Sequence, residues 1–112
     1  MGDDITLEQA AEAARVTALG MLMTVKNVVG SLDNVFRVVR VFGMVLAVPE
    51  FKQQPKVIDG FTEVMRLAFG EEHGRPARSA IGVASLPEGI CVEVEAIFEL
   101  RPARKRRGKS KA

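Results

Sequence analysis

Apolar residues recur near the start of the chain at Ala11, Ala14, Ala18, Met21, Leu22, Val25 and Val29, the three-and-four spacing of one helix face. Glu8, Glu12, Arg15 and Lys26 fall mostly elsewhere. Thr6-Leu7-Glu8-Gln9 has the form of a capping box, in which the Thr6 hydroxyl accepts from the Gln9 backbone and the Gln9 side chain accepts from that of Thr6. Gly30 offers the stop. The pattern predicts a helix from about Leu7 to Val29. Its alanines suit a close approach to a sheet, and its methionine and alanine stripe reads as core, with no cofactor role.

After a turn at Ser31 to Asn34, Val35 to Leu46 is β-branched and apolar on both parities, the pattern of a strand covered on both faces. Two helices can cover one face, so the other is expected to meet something outside this subunit. Arg37 and Arg40 have opposite parity in a regular strand; at most one would face a shared cleft, and both read as rim residues. Pro55 suits the first turn of a second helix, which Val57, Phe61, Val64, Met65 and Ala68 continue until Gly70, with Gly60 weakening its middle. Glu71 to Arg75 reads as a loop, and its single histidine, His73, as a surface residue rather than a metal ligand.

Ala77 to Leu86 and Ile90 to Leu100 are again rich in β-branched residues, and Pro87-Glu88-Gly89 between them predicts a hairpin. In the second of these strands Ile90, Val92, Val94, Ala96 and Phe98 share one parity, leaving Cys91, Glu93, Glu95 and Glu99 on the other. The predicted order is helix, strand, helix, strand, strand, an α+β fold. Three strands with helices on one side would leave open sheet edges.

The run Ala77-Arg78-Ser79, then Leu86-Pro87, then Val92-Glu93-Val94-Glu95-Ala96 resembles the C-terminal signature of the RidA/YjgF family. That family groups imine and enamine deaminases with endoribonuclease L-PSP-like relatives. Leu7 to Gly30 followed by Ser31-Leu32-Asp33-Asn34-Val35 is similar to the family's first helix and following strand, so the likeness runs over roughly residues 4 to 100. It implies a chorismate-mutase-like mixed sheet with two helices on one face, a homotrimer, and clefts between subunits. It also implies an N-terminal strand hairpin that this sequence does not contain, so the expectation is a truncated polypeptide or a start assigned too late. Residues 1–100 are expected to form a single domain and 101–112 a basic, disordered tail.

Charge changes the picture of partners. Seven of the 16 basic residues lie from Arg101 onward, with no acid among them, leaving nine basic against 14 acidic residues before it and a net charge of −5 there. The basic balance belongs to the tail, so nucleic acid is expected only weakly and only through it. With no Trp or Tyr and 6 Phe in 112 residues, stacked-base recognition is poorly supported. A single cysteine and no long uncharged run point to a cytoplasmic protein without a membrane segment.

Two residues are singled out for chemistry. The resemblance implies that Arg78 clamps a substrate carboxylate through two parallel hydrogen bonds and that Glu93 places or activates the attacking water. By residue type alone, Arg78 reads as an interface arginine paired with a glutamate, and Glu93 with Glu95 as solvated positions on an exposed strand face. If Leu86 to Ile90 is a hairpin turn, Glu93 lies opposite a residue near Gly82, ~13 Å along the strand from Arg78. One subunit's pair would then not touch the same small substrate, and a site between copies would resolve this. The sequence departs from the family at Ala80, where many deaminases have cysteine, and Cys91 reads as a small strand residue. It also has no counterpart of the family's N-terminal aromatic and Ser-Gly-Gln region. Three readings follow: hydrolytic deamination of 2-imino or 2-enamino acids to 2-keto acids, without cofactor or metal; a non-catalytic small-molecule-binding or regulatory trimer; and endoribonuclease-type RNA activity.

Overall fold

The capping box forms as its residues dictate: the Gln9 N–H donates to Thr6 Oγ1 (3.0 Å) and the Thr6 N–H to Gln9 Oε1 (2.9 Å), two otherwise orphan donors satisfied at the start of a helix. The computed structural model describes residues 5–102. Within them the chain runs α1 (Leu7–Val29), a short 3₁₀ turn (Leu32–Asn34), β1 (Val35–Leu46), α2 (Gln54–His73), β2 (Ala77–Val83), a second 3₁₀ turn (Pro87–Gly89) and β3 (Val92–Leu100). The tail expected from 101 onward lies outside the described residues beyond Pro102.

The sheet order is β2-β1-β3, with β1 parallel to β2 and antiparallel to β3. This corrects the predicted hairpin: β2 and β3 do not pair, because β1 lies between them. The physical reason is the length and apolar pattern of β1, whose 12 residues supply two full ladders, one to each neighbour. The connection from Val83 to Val92 is long enough to cross the end of β1, a distance of two strand spacings or ~10 Å. It is fastened there on both sides, with the Leu46 N–H donating to the Cys91 carbonyl (2.9 Å) and the Ala47 N–H to the Val83 carbonyl (3.1 Å). Glu88 (φ 57°) and Gly89 (φ 70°) carry the positive dihedrals that make the turn.

Both helices lie on one face of the sheet. Phe61, Ile58, Met65 and Val57 of α2 meet Val38, Val41 and Val45 of β1, and Ala10, Ala14, Ala18 and Leu22 of α1 close the same core. The alanine face of α1 packs chiefly on α2 rather than on the sheet, as Gly60 explains. A Cβ at Gly60 would fall inside the carbonyl oxygen of Ala11, so the glycine that weakens α2 in isolation is what lets the helices touch. Near its end α2 breaks at Gly70 (φ 92°, ψ 167°), and one further turn reaches His73.

The face of β1 without helices holds a second correction. Register shifts between Val35 and Arg37 and between Val38 and Arg40 bring Arg37 opposite Glu99 and Arg40 opposite Ile97, positions two apart on β3. Both arginines therefore project from the same, uncovered face, because the bulge between Val38 and Arg40 inserts one residue and inverts parity. Arg37 pairs there with Glu99 at 2.6 Å. Phe42 and Met44 lie on this face beside Ile81 (42% exposed), and Ile97 (58%) lies there opposite Arg40. Among the described residues no helix is long and apolar enough to cross a membrane.

Candidate functional site

Where β2 begins, a cleft of about 570 Å³ opens between that strand and α2. Asp59, Thr62, Glu63, Arg66 and Leu67 line it from the helix, Glu71 from beyond the kink, and Arg75, Pro76 and Arg78 from the approach to β2. Arg78 pairs in register with Val41, which is fully buried on the helix-covered face, so its side chain is directed toward α2. One guanidinium nitrogen, Nη1, donates to Asp59 Oδ1 (2.7 Å) and to Thr62 Oγ1 (3.0 Å). Nε and Nη2 make no hydrogen bond with a described residue, and the side chain is 25% exposed. An arginine held by one nitrogen and offering the others is a pre-oriented donor for an anion.

The other charges of the cleft are mostly met within the fold. Arg66 donates through Nη2 (3.0 Å) and Nε (3.3 Å) to the same Glu71 oxygen, bridging the kink at Gly70. Glu63 accepts from Arg15 of α1 (3.1 Å), which also holds Glu12 (2.8 Å). The hydrogen bonds to Glu12 and then Glu63 raise the Arg15 pKa above its ordinary value, keeping it charged.

Glu93 lies elsewhere. It pairs with Met44 on β1, between Val92 and Val94, which pack toward the core, and so projects from the uncovered face. Arg78 is thus two strands away on the opposite face, and the single chain does not bring the two predicted residues together. This corrects the placement of Glu93 opposite Gly82, since the register partner of Gly82 is Val45. Glu93 also borders an apolar groove between α1 and the start of β3, lined by Ala13, Val16, Ile90 and Cys91. Cys91 is half-buried, packs on the core and has no disulfide partner. Among the described residues, no group of three or more His, Cys, Asp and Glu side chains is arranged to hold a metal ion.

Sequence reasoning missed Asp59, Thr62, Arg66 and Arg75. The first three recur at three-and-four spacing on α2, a polar ridge legible as such in the sequence. Which strand it would face was not legible, because that depends on β2 joining β1 rather than β3.

Two helices layered on one face of a mixed three-stranded sheet, with an arginine at the start of the parallel edge strand, define an α+β protein of the chorismate-mutase-like class. The chain belongs to the Endoribonuclease L-PSP family, whose model matches residues 4–100, in agreement with the RidA/YjgF motifs around Arg78. It is 41% identical over 100 residues to Protein TCP17 of Trypanosoma cruzi, covering 89% of this chain and 62% of that one. Among solved structures it is similar to Atu1372 of Agrobacterium tumefaciens, whose function is unknown, at 39% identity and a TM-score of 0.87 over 90% of this chain and 64% of that one. It is also similar to a Shewanella oneidensis protein proposed as an endoribonuclease, at 25% identity and a TM-score of 0.83 over 88% and 65% of the two chains. The chain therefore spans a little under two thirds of the length of these relatives.

Proposed function

We propose that the protein is a hydrolytic deaminase of reactive 2-imino and 2-enamino acids, acting as a homotrimer with Arg78 as the carboxylate clamp. Membership of the Endoribonuclease L-PSP family supports a RidA-like or endoribonuclease-like role. The observation that favours the deaminase is the partly exposed guanidinium of Arg78, anchored by Asp59 and Thr62 through Nη1 alone. Its remaining donors match the two oxygens of a carboxylate and fix the adjacent C=N carbon in one orientation. Water adds to that carbon, the C–N bond breaks, and the nitrogen leaves as ammonia with the protons supplied by water and the iminium, leaving a 2-keto acid. Glu93 assists the water. Because it projects from the opposite sheet face, it serves the cleft of a neighbouring copy, which the uncovered face of Phe42, Met44 and Ile97 would bring close.

A second reading, a binding or regulatory trimer without turnover, is favoured by the same separation of Glu93 from the cleft within one chain. RNA recognition gains little from the cleft, whose lining residues include no aromatic side chain on which a base could stack. The deciding experiment generates imines in situ from a panel of amino acids and follows 2-keto acid release. Acceleration that falls about a hundredfold in Arg78→Ala supports the deaminase. Binding of 2-keto acids without acceleration of imine hydrolysis would overturn it in favour of the binding trimer.

A further inference from the structure

Three arginines and three acids line the cleft, and one of the arginines is left without a partner among the described residues. Asp59 faces Arg78, Glu71 faces Arg66, and Glu63 is taken by Arg15, so each acid lining the cleft already has a partner. Arg75 makes no hydrogen bond or ion pair with a described residue. Its backbone is nevertheless held in place by its neighbours. Gly74 is buried, its N–H donates to the Gly70 carbonyl (2.9 Å), and a Cβ there would collide with the backbone of Met65, Arg66 and Gly70. The chain before Arg75 therefore lies against the end of α2 in a way that only glycine permits, and Pro76 restricts the backbone on the other side. Arg75 thus presents an exposed, unpaired guanidinium from a backbone held between such a glycine and a proline. The volume of the cleft also exceeds the need of a three-carbon acid: 570 Å³ lies in the range of pockets that hold drug-sized ligands.

We infer that Arg75 is a second anion-binding residue of this cleft and that its ligands are dicarboxylates, with one carboxylate on Arg78 and the distal one on Arg75. The inference takes its substrate class from the deaminase reading, in which the ligands become the 2-imino acids of acidic amino acids and their 2-keto acid products. It makes Arg75 a specificity residue, remote from the reacting carbon, whose contact is lost when the distal carboxylate is replaced by a methyl group.

The test compares binding of 2-oxoglutarate with that of 2-oxopentanoate, which has the same five-carbon chain without the second carboxylate. Calorimetry is performed on the wild type, Arg75→Gln and Arg75→Lys. The expected result is a preference of about tenfold for the dicarboxylate in the wild type, the scale of one charge-assisted contact. Arg75→Gln abolishes the preference while leaving 2-oxopentanoate affinity within about twofold, and Arg75→Lys restores part of it. Equal affinities in the wild type, a preference that survives Arg75→Gln, or no binding of either acid would overturn the inference. The deaminase reading fails separately: dicarboxylate preference without acceleration of any imine leaves the Arg75 site intact and removes the reaction.

Discussion

The two faces of the sheet differ in how finished they are. On the covered face Val38, Val41 and Val45 are buried under α1 and α2, and Arg78 emerges at the edge with its donors already committed or aimed. On the other face Phe42 and Met44 are only half-buried, Ile97 is exposed, and Glu93 and Glu95 stand on β3 beside them. The contrast teaches that the setting of Arg78, the carboxylate clamp we propose, is built by local contacts within one chain, whereas the role proposed for Glu93 must be completed from outside it. Buried polar groups need partners, and Arg78 has found them in α2. An apolar face needs cover, and nothing in the described residues supplies it.

The covered face breaks most readily at the helix contact. Gly60→Val forces a branched side chain into the Ala11 carbonyl and is expected to destabilise the fold by ~3 kcal/mol, read from the urea midpoint. An unchanged midpoint would mean that the helices are not in contact at Gly60. A smaller effect is expected at the clamp. Asp59→Asn keeps the shape but removes the charge that holds Nη1, so under the proposed deaminase activity the KM for imines should rise about tenfold while kcat changes by less than about threefold. A matching fall in kcat with no change in KM would assign Asp59 to the reaction itself.

The smallest effect on the isolated chain is expected on the uncovered face. Ile97→Ser should alter the stability of the monomer by less than ~0.5 kcal/mol, because the side chain is exposed there. Its effect should appear instead in sedimentation, as loss of the trimer we propose. A variant that assembles as the wild type does would show that copies do not meet on this face.

Much of this fold is legible in the chain itself. The Thr6–Gln9 box and the alanine stripe define α1 to its ends, the β-branched run defines β1, and Pro55 and Gly70 bracket the continuous part of α2, because each is a local signal acting over a few residues. Arg78 and Glu93 were visible as candidates for the same reason, by their place in a short motif. Tertiary structure decided what local signals do not encode. Strand order put β1 between β2 and β3, since pairing is won by the strand that can fill two ladders and not by proximity in sequence. The bulge between Val38 and Arg40 turned Arg37 and Arg40 to one face, as a one-residue register shift inverts parity. Packing likewise assigned Asp59 and Thr62 to Arg78, because the face a helix presents to a particular strand is set only when both settle on the same core.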